Sequence, residues 1–522
     1  MLKDFLKSSL GKLIIISTIV RIAIACSIQL GNDESYYFTY ALQPDWNHFD
    51  HPPMVGLFIQ FFTLNLNWVN DISMRLTSII GAAICTWFIA QCGTLIRNKK
   101  TGFIAALLYT SSIYTSIIAG VFILPDSPQL VFWLASIYLM LRLLNEMNST
   151  KKNRLILWLA VFIGLACMCK IHAIFLWVGF GAYILFNDRT WLKNIYLYLS
   201  VIITIVIVSP IIYWNFKNNF ITWQFHSERV EIKNSGMDVD SFLTTFLGQF
   251  FYNNPINVVI AIIALVAVAK RKIFIESKYK NLLLWLSLPI IILTTLIALF
   301  RTTLPHWSGP GFISLILLSA AFIDWKRTEI VKNYFKKWVQ FSMGLICFIV
   351  VMGIVVINFY PGSLSNETAT ETGRDDTTLD MFGWNDFKKS FKEMLISEKK
   401  DSNKINTIIV DNWFPASHIL YYVAKPLHMK VVGVGDINNL HKFIWLNKEE
   451  GNLKKGDDAY YISPSNYFKD ANDLYKIYFE SIELIKTFPQ KRGGKIARYF
   501  YVYRLTNASK AIENKMEVLE KP

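Results

Sequence analysis

The chain has 522 residues, of which 53% are hydrophobic and 15% aromatic, and its formal net charge is +15. This composition excludes an ordinary soluble protein of this length and indicates a polytopic membrane protein. The basic residues concentrate in short loops between apolar runs, so the positive-inside rule explains the charge better than a nucleic-acid partner does. All six cysteines lie in apolar segments, which argues against a disulfide framework.

Eleven segments are apolar and long enough to cross a membrane, if short or broken helices of fewer than about 20 residues are included. They are 11–30, 72–96, 102–120, 127–145, 155–169, 172–187, 195–214, 245–269, 281–300, 308–324 and 338–358. The first of them follows a basic N-terminus like that of a signal peptide. Because its apolar run is long enough to span, we expect it to stay in the protein.

Charge in the loops predicts the orientation of these spans. Basic residues mark the N-terminus, 97–100, 151–154, 187–194, 270–272 and 326–337, which we assign to the cytoplasm. The run at 155–187 would be about 50 Å long as one helix, too long for one crossing, so we predict a break near 169–172. The loops at 31–71, 121–126, 215–244 and 301–307 are then external, together with the chain after residue 360.

Ionisable residues gather on this predicted outer face, where their membrane depth makes them costly unless they serve a site. The loop at 31–53 carries the adjacent carboxylates Asp33 and Glu34 and, later, Asp50 and His51 before two prolines. The other outer connections add the following residues: Asp126, Lys170, His172, His226, Arg229, Arg301 and His306. We therefore predict a site outside the membrane.

The composition changes after residue 360. Residues 1–360 read as the membrane module, the polar stretch 361–380 as a linker, and 381–522 as an extracytoplasmic domain. Strand-like runs at 405–410, 430–434, 459–462 and 499–505 alternate with helical stretches, which predicts a small soluble α/β fold. The domain has no glycine-rich phosphate loop or nucleophile motif, so we expect a binding or lid module.

Several motifs occur in an order typical of one family. They are GNDESYYFTYA, FDHPPM, ILPDSPQLVFW, CKIHA, SPIIYWNFKNNFITWQFHSERV, LPHWSGPGF, FGWNDF and VDNWFPASHILYYV. This pattern resembles the bacterial integral-membrane glycosyltransferases of the GT-C class, related to protein O-mannosyltransferases and the lipid A aminoarabinose transferase. The resemblance implies a GT-C-like fold and an enzyme of the bacterial cytoplasmic membrane. Such an enzyme moves a sugar, with inversion, from a polyprenyl-phosphate donor to a lipid, protein or glycan acceptor.

The acidic residues suit acid–base work. A hydroxyl acceptor needs a general base within hydrogen-bond reach, and Asp33, directly after the first span, is our candidate; a helix N-cap is its alternative role. Glu34 is expected to bind sugar or acceptor, or to be a solvated loop carboxylate. Asp126 matches an active-site aspartate of the family, with helix capping as the alternative.

The basic residues suit the leaving phosphate, whose growing negative charge needs fixed cations and donors. Lys170, Arg229, Arg301 and His306 are the candidates, and His172 lies beside Lys170. Lys170 is alternatively a snorkelling structural lysine, and the two arginines are alternatively ligands of lipid headgroups.

Asp50 and His226 match positions that bind a divalent metal in some relatives. Two ligands from distant loops are fewer than a metal site normally has, so we expect no required cofactor and leave a divalent metal open. His51 stands where the aminoarabinose transferases have lysine, so the resemblance does not single out lipid A as the acceptor.

A rival interpretation is a transporter or lipid flippase, which predicts ionisable residues in mid-span and inverted repeats. The predicted spans are largely uncharged at their centres, and the polar residues lie on one side. This favours the enzyme. A non-catalytic glycan-binding scaffold, which would tolerate loss of Asp33, is the third possibility.

Overall fold

The computed structural model describes residues 2–230, 237–301, 303–329, 334–365, 368–398 and 405–511, without the side chains of 2–3, 228–230, 328–329, 334–335 and 369. Two compact units can be recognised. The first comprises the chain up to Ile24 together with Trp46–Val350, and the second comprises Ala25–Asp45 together with the chain from Val351 onward. No pattern in the sequence predicts that the segment after the first span belongs with the C-terminal domain.

The first unit is helical. Its α-helices, of which α2 and α16 continue into the second unit, are α1 (Leu2–Lys7), α2 (Ser9–Ser27), α4 (Met54–Phe62), α5 (Asp71–Ile96), α6 (Lys99–Ser111), α7 (Asp126–Leu143), α8 (Ser149–Cys169), α9 (Phe175–Asn187), α10 (Ile195–Lys217), α11 (Ile221–Val230), α12 (Val239–Tyr252), α13 (Pro255–Ala269), α14 (Ser277–Ile297), α15 (Gly309–Glu329) and α16 (Tyr334–Phe359). Ten of the eleven predicted spans coincide with one or two of them, whereas in the span 102–120 α6 ends at Ser111 and a π-helical turn follows at Tyr114–Ile118. This agreement follows from the apolar runs themselves, since a backbone in lipid must satisfy its own hydrogen bonds.

Seven helices of the described chain are long and apolar enough to cross a membrane by themselves, and a bent pair makes an eighth. The pair is α12 and α13, which meet at 96°. Asn254 between them has a positive φ of 66°, and its side chain accepts a hydrogen bond from the Ile256 N–H as the N-cap of α13. Proline at the start of α13 also suits a new helix rather than a continuous one.

Helix α15 forms the centre of the first unit. Of the most apolar stretch of this helix, 89% is buried, whereas the corresponding stretches of α10 and α16 are 22% and 17% buried. The surrounding core is built from α5 to α9 and from α13 and α14. Exposed apolar surface on α10 and α16 is what lipid-facing helices require.

The second unit contains a five-stranded sheet in the order β2-β1-β3-β5-β4. Its strands are β1 (Thr407–Val410), β2 (Lys430–Gly433), β3 (Ala459–Pro464), β4 (Phe479–Arg492) and β5 (Lys495–Ala508). The first three are parallel, and β5 pairs antiparallel with β3 and β4. Four of the strands fall on the predicted runs. β4 was missed because charged residues interrupt its alternation, although Gly493 and Gly494, both with positive φ, mark a hairpin turn.

The helices of this unit are α3 (Asn32–Leu42), α17 (Trp384–Glu398), α18 (Trp413–His418), α19 (Ile437–Leu440), α20 (Phe443–Glu450) and α21 (Ala471–Tyr475). The stretch predicted as a linker is anchored in the same unit. Asp376 forms a fully buried ion pair of 2.8 Å with Arg492 and accepts the N–H of Leu364. Residues 361–380 are therefore tied to the sheet at this point.

Candidate active site

A helix end and a helix start position two charged residues of the first unit, Lys170 and Asp126. Helix α8 ends at Cys169, as predicted from the loop charges, and extended backbone at Lys170 leads into a 3-10 turn at Ile171–Ile174. Asp126 is the first residue of α7, after Pro125 as the N-cap. A carboxylate there is favoured by the positive end of the helix dipole.

Asp126 and Lys170 form a buried ion pair. Lys170 Nζ lies 2.8 Å from Asp126 Oδ2, and the two side chains are 10% and 2% exposed. The hydroxyl of Tyr114 donates to the other carboxylate oxygen at 2.9 Å, and Gln129 Nε2 donates to the Lys170 carbonyl at 3.0 Å. At this helix start Ser127 rather than Asp126 bonds the backbone, and Lys170 is buried against Asp126 instead of reaching the surface.

The ammonium of Lys170 has N–H bonds for which the described residues provide no acceptor. It carries three N–H bonds, and Asp126 is its only hydrogen-bond partner among the described residues. His172 Nε2 and Trp133 Nε1 are also buried atoms without a hydrogen-bond partner in the described chain, and their rings lie 6.3 Å apart. Buried donors without partners are costly, so these three groups suit an anionic or hydroxyl-rich ligand.

Three histidines surround the pair. The carboxylate of Asp126 interacts electrostatically with His172 and His306, and His51 interacts with both Asp126 and Lys170. His51 follows a loop and is half-buried; its burial lowers its pKa to about 3, so the ring is neutral at pH 7. Four segments that are distant in sequence thus bring their polar residues together, as the clustering on one predicted face suggested.

Asp50 and His226 meet through the backbone rather than as a pair of ligands. His226 Nε2 donates to the main-chain carbonyl of Asp50 at 2.7 Å, and the His51 and His226 rings are 6.0 Å apart. Within the described residues, no group of three or more His, Cys, Asp or Glu side chains could hold a metal ion. Because the described side chains include no such group, we assign no step to a metal.

Of the two candidate arginines, the structure describes the side chain of Arg301. Arg301 is half-buried in the connection before the 3-10 turn Pro305–Ser308, which carries His306 stacked on Tyr252. Arg229 lies outside the residues whose side chains are described.

Asp33 and Glu34 belong to the second unit, in the first turn of α3. Gly31 is the N-cap, so Asp33 does not have the alternative capping role, and its side chain is exposed. Glu34 is buried, 1% exposed, and its Oε2 accepts the Gly31 N–H at 2.8 Å, so it is not a solvated loop carboxylate. Asp33 is therefore an exposed residue, and the Glu34 carboxylate next to it is bound to the backbone.

Sequence reasoning missed Tyr114, Gln129 and Trp133, because each lies in a segment that hydropathy assigns to a span. One signal was available in the SGPG motif. A Cβ at Gly309 would lie 2.4 Å from the Tyr114 ring, so this glycine makes room for the tyrosine that bonds Asp126.

The chain is similar in sequence and in fold to known proteins. Residues 50–214 match the family model described as dolichyl-phosphate-mannose-protein mannosyltransferase. The sequence is similar to the lipid A galacturonosyltransferase RgtD of Rhizobium johnstonii, with 21% identity over 305 residues, 56% of this chain and 61% of that relative. The match thus spans less than two thirds of RgtD.

The fold is similar to that of ArnT from Cupriavidus metallidurans bound to undecaprenyl phosphate. The TM-score is 0.66 with 13% identity, covering 95% of this chain and 98% of ArnT; the apo state of ArnT gives 0.62. The resemblance to membrane glycosyltransferases of the GT-C class is confirmed, and the chain is a multi-pass membrane protein with the ArnT fold. Its matches by sequence are glycosyltransferases.

Proposed function

We propose that this protein is an inverting glycosyltransferase of the bacterial cytoplasmic membrane. It moves a sugar from a polyprenyl-phosphate donor to a lipid, protein or glycan acceptor on the extracytoplasmic side. The observation that carries the proposal is the buried Asp126–Lys170 pair, with unused donors on Lys170 and His172, in a fold shared with a protein that binds undecaprenyl phosphate.

In this reaction the bond between the anomeric carbon and the phosphate oxygen breaks, and negative charge grows on that oxygen. The free N–H bonds of Lys170 stabilise this charge, and they strengthen towards the transition state. Asp126 holds the ammonium in position through their 2.8 Å ion pair. Tyr114 fixes the carboxylate through its second oxygen.

The acceptor hydroxyl attacks the anomeric carbon from the face opposite the phosphate, which inverts the configuration. Asp33 accepts the hydroxyl proton as the general base, a role for which an exposed carboxylate on a fixed helix is suited. Glu34 holds the start of that helix through its bond to Gly31.

The remaining polar residues are assigned to substrate binding. Neutral His51, with His172 and His306, offers hydrogen bonds to the sugar or phosphate without adding charge. Arg301 and Arg229 bind the donor phosphate or neighbouring lipid headgroups, and the Asp50–His226 contact shapes the loop that carries His51.

The experiment is a transfer assay with the purified full-length protein in lipid nanodiscs. Undecaprenyl phosphate carrying radiolabelled mannose, galacturonic acid or aminoarabinose is the donor, and membranes from cells that lack the gene supply acceptors. We expect transfer from one of these donors, with an about 10²- to 10³-fold loss of kcat in Lys170→Met. The exposed Lys193→Met is the matched control and should be unaffected. No transfer from any donor, or full activity of Lys170→Met, would contradict the proposal.

A second experiment tests the assigned side of the membrane. A phosphatase reporter that works only outside the cytoplasm should be active when it is fused after residue 360. It should be inactive when it is fused after Lys272. The opposite result for either fusion would contradict the placement of the site outside the cytoplasm.

A further inference from the structure

The helix that carries Asp33 is built into the C-terminal domain. Eight consecutive residues of α3, from Glu34 to Ala41, are buried, and they contact α18 and the segments around Trp413 and His441. Asp33 is exposed. The domain therefore buries most of the helix, and Asp33 remains an exposed residue in its first turn.

The backbone of Leu30, two residues before α3 begins, is held by two side chains of the domain. The N–H of Leu30 donates to the Tyr422 hydroxyl at 2.7 Å, and the carbonyl of Leu30 accepts from His418 Nε2 at 2.9 Å. Gln29 is held as well: its N–H donates to the Met381 carbonyl, and its side-chain oxygen accepts the Trp384 N–H at 2.8 Å. The entry of the chain into α3 is thus fixed at successive residues.

The His418 ring also reaches the first turn of the helix. Because Nε2 donates to a carbonyl, Nδ1 is the acceptor, and the Ser35 hydroxyl lies 2.9 Å from it. The ring is fully buried, which lowers its pKa to about 3, so this neutral tautomer persists through the physiological range. One ring therefore couples Leu30 to Ser35, on both sides of Asp33.

Asn32, directly before Asp33, faces a further buried group. Its side chain interacts electrostatically with the carboxyl of Asp380, which accepts a hydrogen bond from the Tyr467 hydroxyl at 3.1 Å. Residues 29, 30 and 35 are each tied to the domain by hydrogen bonds. Asp33 is the exposed position within this fixed frame.

We infer that His418, Tyr422 and Asp380 are positioning residues for catalysis: they set where the Asp33 carboxylate points, and the domain acts on the reaction through them. The inference rests on the proposed role of Asp33 as general base. A displacement of about 1 Å at a reacting group can cost 10²-fold in rate, so small losses of order in this frame should appear in turnover.

Tyr422→Phe is the sharpest test, because it removes the hydroxyl that accepts the Leu30 N–H and keeps the ring. In the nanodisc transfer assay we expect kcat to fall about 10- to 100-fold, with the KM for the donor and the binding of undecaprenyl phosphate unchanged. Tyr460→Phe is the matched control: it also loses a hydroxyl from the sheet domain, one that donates to Glu398. Its kcat should stay at the wild-type value even where its thermal stability falls as much.

Two comparisons separate positioning from a general loss of structure. Combined with Asp33→Asn, Tyr422→Phe should have no further effect on kcat, because no base remains to be misplaced. His418→Gln, which keeps a donor for the Leu30 carbonyl, should retain more activity than His418→Leu. If Asp33→Asn has wild-type activity, the proposed base is wrong. If Asp33→Asn is inactive but Tyr422→Phe keeps full kcat, or loses no more than Tyr460→Phe, the positioning inference alone is overturned.

Discussion

The Asp126–Lys170 pair allows stability and catalysis to be separated by a double-mutant cycle. The two side chains are 2% and 10% exposed and 2.8 Å apart. Removing one partner leaves a buried charge without compensation, which costs roughly 3 to 5 kcal/mol of unfolding free energy. Asp126→Asn and Lys170→Met should each show a loss of this size.

The double variant should recover most of that stability, because neither charge remains. The losses of the two single variants should therefore be far from additive, with a coupling energy above the roughly 0.5 to 3 kcal/mol that is usual for residues in contact. Transfer activity should not recover, because the donors for the leaving phosphate are still absent. Stability and activity thus respond differently to the same two substitutions.

Unfolding is followed by tryptophan fluorescence in one detergent for all four proteins, and transfer is measured in parallel. Wild-type stability in both single variants would show that the pair contributes little to the fold. Wild-type turnover in the double variant would refute the assignment of Lys170 to the phosphate.

Three further predictions concern the base, the metal and pH. Asp33→Asn is nearly isosteric but a far weaker base, so transfer should fall by about 10²- to 10⁴-fold with folding and donor binding intact; unchanged transfer would remove Asp33 from the mechanism. Turnover of the purified protein should survive chelation by EDTA, and chelator-sensitive turnover rescued by one divalent ion would mean that Asp50 and His226 do serve a metal. Burial raises the pKa of Asp380 to about 6, so the folded chain binds this proton more tightly than the unfolded chain does. The resulting contribution to stability is present at low pH and is lost as pH rises from about 4 to about 6, so Asp380→Asn should gain unfolding free energy relative to wild type across that window, and a constant difference would contradict it.

The helices were predictable because hydrophobic length is a local property of the sequence. The same holds for the break at Lys170, since a run of 33 residues is too long for one crossing. The basic loops on both sides of this run also require an even number of membrane crossings between them. Strand β4 escaped because Glu480, Glu483 and Lys486 interrupt its apolar positions on a largely exposed edge of the sheet.

The candidate site was predictable in composition but not in pairing. Hydropathy places Asp126 and Lys170 at span ends, yet which residue meets which depends on how helices pack, and that is not a local property. Tyr114 was hidden inside an apolar run for the same reason. The packing of α3 in the C-terminal domain could not be predicted either, because its aromatic residues lie in a segment that resembles a loop and their partners are distant in sequence.

The bond from Leu30 to Tyr422 joins residues 392 positions apart, and this separation has a consequence during synthesis. At translation rates of about 5 to 20 residues per second, roughly 20 to 80 s pass between the appearance of Leu30 and that of its partner. During that interval Tyr36, Phe38 and Tyr40 have left the ribosome without the domain that buries them. The nascent chain therefore offers an aromatic helix to chaperones and proteases until translation is almost complete, and a stalled ribosome would prolong that exposure.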